Sequence, residues 1–227
     1  MIDEGHNMWA LGTKNAIAEA AAQELLDHGY AGTSLAKIAK RLGQTKGALT
    51  YHFPTKADFA TYFIMVLRGA TSQADAYAKA HYPECGARRL LLYFLVMDSW
   101  QTTEAQLAAG MTLLGDSASP ALEADEVIRD WLSISVDALQ VCQSVGELDP
   151  GLSVLDGAEM FLVTILGAGL FRHHLRSSVP GTKPLRFVRF ALAAVGAPTV
   201  DEYAHEVVSR YAHHVPTLEY TWLQRFA

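Results

Sequence analysis

Cysteine is scarce in this chain of 227 residues: two, Cys85 and Cys142, far apart in sequence and outside any C-x-x-C spacing. Disulfide frameworks and thiolate metal sites need more cysteines or closer ones, so the pair reads as buried thiols in a reducing compartment. Long hydrophobic runs are missing as well. No stretch of about 18 apolar residues offers a membrane span. The opening, MIDEGHNMWALG, is acidic and lacks the basic start and apolar stretch of a secretory leader, so the cytoplasm is the expected location. Strand-type alternation, internal repeats and low-complexity tracts are absent too.

The strings that most resemble catalytic motifs are incomplete. Gly115-Asp116-Ser117-Ala118-Ser119 lacks the last glycine of a nucleophile elbow and follows no strand. Gly167-Ala168-Gly169 is a lone G-x-G in a helical pattern, without the strand-turn-helix setting of a dinucleotide site. His173-His174 and His213-His214 are adjacent pairs, and neighbours on a helix diverge by about 100° rather than gripping one metal ion. His205 has Asp201 and Glu202 nearby in sequence, but the set does not read as a metal site. No catalytic residues, metal site or cofactor are expected, and the chain does not read as an enzyme.

The most informative segment runs from Gly29 to Asp58, GYAGTSLAKIAKRLGQTKGALTYHFPTKAD. Leu35, Ile38, Ala39 and Leu42 fall at i, i+3, i+4 and i+7, the apolar stripe of a short helix. Thr33 or Ser34 can cap its start, and Gly43 suits the left-handed backbone that ends a helix. Thr45 can cap a second helix that buries Leu49 and Phe53. At about 100° per residue, Gln44, Gly47, Ala48 and Tyr51 face the other way, with Lys46 on the flank. Pro54 stops this helix, and Thr55 with Asp58 forms a capping box for the next. The pattern is a helix-turn-helix whose second helix is shaped to enter a DNA major groove.

Charge sets the segment apart. Lys37, Lys40, Arg41, Lys46 and Lys56 stand against Asp58 alone, about +4, whereas the whole chain is −6. A basic island on an acidic protein directs one face at phosphate, which dominates DNA affinity, and keeps the rest away. A plain solvated basic face is the alternative.

The residues Thr13, Lys14, Ile17, Ala20, Ala21, Leu25, Gly29-Tyr30, Thr33 and Ile38-Ala39 follow one known pattern. Thr45-Lys46-Gly47-Ala48-Leu49, Tyr51-His52-Phe53 and Lys56 continue it without a gap. Over about residues 13 to 60 the sequence resembles the amino-terminal domain of the TetR family of repressors. That resemblance implies an all-α protein: a three-helix bundle with the helix-turn-helix, then a larger helical domain for ligand binding and dimerisation. It implies Thr33, Ser34, Tyr51, His52 and Lys56 as clamps on the DNA backbone, with Gln44, Thr45, Lys46 and Gly47 facing the groove floor. Lys46 has the reach for a guanine edge and Gln44 can pair with adenine. Two positions depart from the pattern. Thr50 stands where a tyrosine usually touches the backbone, shortening or losing a contact there, and Gln44 replaces a smaller or apolar residue. Tyr51 has the alternative of packing against the first helix, and His52 that of filling space at the helix end.

The expected boundaries are residues 8–55 for the DNA-binding domain, 56–215 for the ligand-binding and dimerisation domain, and 216–227 for a tail. Long helices are expected over 56–79, 88–114 with a break near Thr102-Thr103, 121–145 and 154–177, then 185–195 and 199–214. In the fourth of these the run MFLVTILGAGLF is too apolar for a solvated helix. It is either buried in its own subunit or part of an intersubunit four-helix bundle, as a TetR-like architecture implies. Phe94, Met97, Trp100, Met111, Trp131, Met160 and Phe161, with Gln101, Gln106, Ser135 and Thr164 among them, are either plain core or the lining of a mostly apolar ligand pocket. The helix order and the Asp130-Trp131 pair resemble the autoregulator receptors of the family, which take γ-butyrolactone or furan signals beside a tryptophan. The arginine often seen in that branch is missing around Ala108-Ala109. Together these readings describe a homodimeric, ligand-responsive repressor of a palindromic operator. The alternatives are a TetR-like regulator of efflux or catabolic genes, and a helical ligand-binding or interaction module with a non-functional head.

Overall fold

The computed structural model describes residues 4–120, 124–149, 151–174 and 185–220, with side chains described from residue 12 and outside 169–174. Ten helices and no strand occur among the described residues: α1 Glu4–Gly32, α2 Leu35–Leu42, α3 Lys46–His52, α4 Lys56–His81 and α5 Gly86–Thr103. They continue with α6 Ala105–Gly115, α7 Ala124–Ser144, α8 Val154–His174, α9 Arg186–Ala194 and α10 Val200–Tyr211. The expected helical break near Thr102-Thr103 falls at Glu104, which separates α5 from α6. The last expected turn of the fourth long helix, to Ser177, and the VPGTKP loop lie outside the described residues.

The chain forms two compact units, and their seam does not follow a single cut at residue 55. One unit takes Met1–Ala70, Gln101–Val127 and Glu219–Ala227; the other takes Thr71–Trp100 and Ile128–Leu218. The single helix α4 therefore belongs to the first unit up to Ala70 and to the second from Thr71.

In the first unit, α1, α2, α3 and the first half of α4 close around Ile17, Ala18, Leu25, Ile38, Leu49, Phe53 and Phe63, all buried. Phe53 stacks on Phe59 at 4.1 Å and meets Tyr62 edge-on at 5.4 Å, pinning the end of α3 to α4. Helix α6 joins this core. Its Gly110 lies so close to α4 that a Cβ there would meet the Phe63 carbonyl oxygen at 2.5 Å. Gln106 Nε2 donates to Asn15 Oδ1 at 2.8 Å, tying α6 to α1. At Gly29 the backbone turns left-handed, φ 69°, and kinks α1 away from its axis.

In the second unit α5 supplies the most buried surface, with Leu90, Leu91, Leu92 and Val96 sealed from solvent. Arg89 is buried as well. Its guanidinium is satisfied by Asp137 at 2.8 Å and the Pro83 carbonyl at 2.7 Å, which a buried charge requires. The segment after α10 is fastened down. Gln73 Nε2 donates to the Thr217 carbonyl at 3.0 Å and Trp100 Nε1 to that of Pro216 at 2.6 Å, while Leu218 is buried. Residues 216–218 thus belong to the body of the second unit, and 221–227 lie outside the described residues.

Candidate functional site

The helix-turn-helix is assembled by its caps. Ser34 is the residue that caps α2, its Oγ accepting the Lys37 amide at 3.3 Å, and Gly43 ends that helix at φ 65°. Thr45 caps α3 by accepting the Ala48 amide at 3.3 Å. Thr55 and Asp58 form the reciprocal box at the start of α4, with the Thr55 amide 2.7 Å from Asp58 Oδ2 and the Asp58 amide 3.3 Å from Thr55 Oγ1. Because Leu49 and Phe53 are held inside, the opposite face of α3 must be solvent-directed. Gln44, Thr45, Lys46 and Gly47 are all exposed, and Tyr51 is 85% exposed. Packing of Tyr51 against α1, the alternative open to the sequence, does not occur. Nothing lies within 3.9 Å of the position a Gly47 side chain would take, so the backbone there is bare.

Other expected contacts are placed differently. Thr33 is buried and its hydroxyl donates to the Gly29 carbonyl at 2.8 Å, so it stabilises the kink rather than standing out as a clamp. Thr50 donates to the Gly47 carbonyl at 3.0 Å, within its own helix. His52 is half-buried, edge-on to Tyr51 at 5.0 Å. Lys56 turns back: its Nζ donates to the Tyr30 carbonyl at 2.9 Å and sits 4.1 Å over the Tyr30 ring. On the other side of the same residue, Asp116 Oδ2 accepts the Tyr30 amide at 2.8 Å. Sequence reasoning missed Asp116, which anchors the turn into α2 from the loop after α6.

The expected ligand residues fall in both units. Gln101, Gln106 and Met111 belong to the first; Phe94, Met97, Trp100, Trp131, Ser135, Met160, Phe161 and Thr164 belong to the second. In the second unit, Phe94 and Phe161 meet at 5.7 Å between ring centroids, and Met97 is buried on the same helix as Phe94. Trp131 is half-buried and its Nε1 donates to Thr71 Oγ1 at 3.0 Å. The wholly buried Tyr93 hydroxyl faces the same two side chains without a well-formed hydrogen bond, and burial raises its pKa. Ser135 and Thr164 spend their hydroxyls on carbonyls of their own helices, and Met160 is exposed. Thr71 and Tyr93 were missed from the sequence. Thr71 was findable, as a lone hydroxyl in the stripe Phe63, Leu67, Ala70, Ala74, Ala78 of α4.

The outer face of α8 leaves large apolar side chains uncovered in the monomer, beside the exposed Asp156 and Glu159. Val163 is 70% exposed and Leu155 52%, while Phe190 on the adjoining α9 is 54% exposed. A Cβ on Gly167 would meet nothing within 4 Å. Burial of this helix wholly within its own subunit, the duller reading of its composition, is therefore excluded for this face.

Residues 17–62 match the family model for bacterial regulatory proteins of the tetR family, which spans the first unit's caps and the exposed face of α3. That stretch is a TetR-type amino-terminal domain. No curated protein matches it in sequence. Among solved structures, a γ-butyrolactone receptor described as an ArpA-like protein is similar at 22% identity and TM-score 0.62, covering 83% of this chain and 97% of that one. CprB of S. coelicolor A3(2), a TetR family protein, is similar at 20% identity and TM-score 0.67, covering 89% and 99%. SmeT, repressor of the multidrug efflux pump SmeDEF of Stenotrophomonas maltophilia, is similar at 21% identity and TM-score 0.67, covering 82% and 92%. At such identities the likeness is one of fold, and it extends the TetR architecture over the second unit.

Proposed function

We propose that this chain is a dimeric repressor that binds a palindromic operator and is released by a small, mostly apolar effector of the butyrolactone kind. The observation that carries the DNA-binding part is the exposed face of α3, with Gln44, Lys46 and Tyr51 outward and Gly47 bare at the amino end of a capped helix. Residues 8–55 are the part that reads bases. Ser34, Tyr51 and His52 contact phosphate or sugar, Thr45 faces the groove floor with Gln44 and Lys46, and Thr33, Thr50 and Lys56 act by holding the turn and α3 in shape.

Dimerisation follows from both ends. One recognition helix reads only a few base pairs, and a two-fold pair doubles that with half-sites about one helical turn apart. The exposed apolar residues of α8 and α9 supply a self-complementary face for an intersubunit four-helix bundle. Residues 56–215 are the dimerisation and effector-binding part, and the effector site is centred on Trp131, Thr71 and Tyr93, with Phe94, Met97 and Phe161 as its apolar wall. Similarity in fold to a γ-butyrolactone receptor supports that effector class; similarity to an efflux-pump repressor supports a different hydrophobic ligand as the second reading.

An effector releases DNA only if it prefers the conformation with low DNA affinity. Thr71 lies on α4 where that helix passes from one unit to the other. A ligand that displaces the Trp131–Thr71 hydrogen bond acts on the helix whose other end begins at Lys56, beside the recognition helix. A small change in α4 alters the spacing of two recognition helices, and a dimer that loses one half-site binds like a monomer.

Selection of duplexes from a random pool, followed by footprinting with and without a synthetic γ-butyrolactone or an extract of the source cells, tests this. Enrichment of a palindrome and its release by lactone or extract are expected. Failure to enrich any sequence would remove the reading head. Binding indifferent to every extract would remove the effector.

A further inference from the structure

Two cysteines that the sequence keeps apart are both placed at the amino end of α5, one just before that helix and one on α7. Cys85 immediately precedes that helix, and its carbonyl accepts the Arg89 amide at 3.0 Å. Helix α7 abuts the same point. A Cβ on Gly86 would meet the Ala138 carbonyl oxygen at 1.8 Å and Cys142 Sγ at 2.8 Å, so the sulfur of Cys142 lies against the residue next to Cys85. Its Sγ also faces the Ala87 amide, and the two thiols are close enough for a charge on Cys85 to be felt at Cys142.

Their surroundings differ. Cys142 is fully buried, and desolvation pushes its thiol up to about 12. Cys85 is half-buried. An Nη of Arg88 donates to Cys85 Sγ at 3.4 Å. That guanidinium is held in place by Glu206 at 2.8 Å and by stacking 3.9 Å over the Tyr203 ring. Cys85 therefore stands at the start of α5 with the Arg88 guanidinium on its sulfur. Redox-responsive cysteines have this composition: one partly exposed, cation-paired sulfur beside a second that can close on it.

We propose that Cys85 and Cys142 form an oxidisable dithiol, with Cys85 attacking a hydroperoxide and Cys142 closing the disulfide. In the first step the Cys85 thiolate displaces alkoxide or hydroxide from the peroxide oxygen. Its sulfur is oxidised to sulfenic acid and the peroxide is reduced to alcohol or water. In the second step Cys142 sulfur attacks Cys85 sulfur. The S–OH bond breaks, and the hydroxide departs as water with the Cys142 proton. The bridge ties the start of α5 to α7.

The test treats the full chain with hydrogen peroxide and follows thiol content and intact mass. A loss of about two mass units, both thiols consumed, a linked peptide pair containing Cys85 and Cys142, and reversal by dithiothreitol are expected. Cys142→Ser should accumulate a dimedone-reactive sulfenic acid at Cys85, with Cys142→Ala as the second variant if serine in that buried site unfolds the protein. Cys85→Ser should lose its remaining thiol at least about tenfold more slowly. Unchanged oxidation of Cys85→Ser would overturn the proposal. So would a product carrying only sulfinic acid at Cys85, or one bridged between chains on a non-reducing gel.

Discussion

Lys46 is exposed on the flank of α3, one residue past the Thr45 cap, and it is the side chain with the reach for a guanine edge. Lys46→Ala should weaken operator binding by about 1–3 kcal/mol, leave the dimer intact, and lower the slope of log affinity against log salt if phosphate is its partner instead. Near-wild-type affinity in a gel-shift titration would take the base-reading role from it. In the proposed mechanism Trp131 belongs to the effector site. Trp131→Ala should spare DNA binding and blunt release, raising the lactone concentration for half-release by about tenfold or more, since an indole in a ligand site combines a large apolar face with a hydrogen-bond donor. An unchanged dose–response would remove it from the site. These two residues were named from sequence because each sits in a motif. Thr71, Tyr93 and Asp116 were not: Thr71 shows in the sequence only as a hydroxyl in an apolar stripe, and the partners that give the three their meaning come from elsewhere, Trp131 for the first two and the Tyr30 amide for the third.

At the scale of elements, the turn from α1 into α2 is held on both sides of Tyr30. Asp116 accepts its amide and Lys56 donates to its carbonyl. Asp116→Ala leaves that part-buried amide unsatisfied and should lower stability by about 1–3 kcal/mol, seen as a lower Tm with weaker operator binding. A Tm within experimental error of wild type would show the amide finding water instead. The element pattern was legible in the sequence wherever local chemistry decides it. Caps at Ser34 and Thr45, the stop at Gly43 and the box at Thr55 and Asp58 all formed as their residue types demand. Local chemistry says nothing of which helix packs on which. The placement of α6 beside α1 and α4, through Gly110 and Gln106, had no signal in the sequence. Gly110 is required there by a close approach, and a glycine inside a helical pattern looks like a weakness until its neighbour is seen.

For the whole molecule, the apolar face of α8 and α9 is the feature with the largest consequence. Val163→Glu places a charge on the surface that the proposed dimer would bury, and a buried unpaired carboxylate is strongly unfavourable. The variant should fold, sediment as a monomer at concentrations where the parent is a dimer, and lose most of its operator affinity. A Val163→Glu protein that remains dimeric would move the interface elsewhere. Gly86→Ala tests the join between α5 and α7, since its Cβ would strike backbone at 1.8 Å rather than a yielding side chain. A lower Tm is expected, and no change would mean the helices shift apart freely.

The sequence by itself determined that the chain is helical, that its basic segment near the amino end is a helix-turn-helix, and which face of α3 looks outward. Periodicity, caps and charge are properties of neighbouring residues, and they operate over a few ångströms of chain. Only the tertiary structure decided that Thr33 and Lys56 turn inward, that Trp131 finds Thr71, and that two distant cysteines share the start of one helix. Those are contacts between segments far apart in sequence, set by which apolar faces bury one another, and no local rule encodes them.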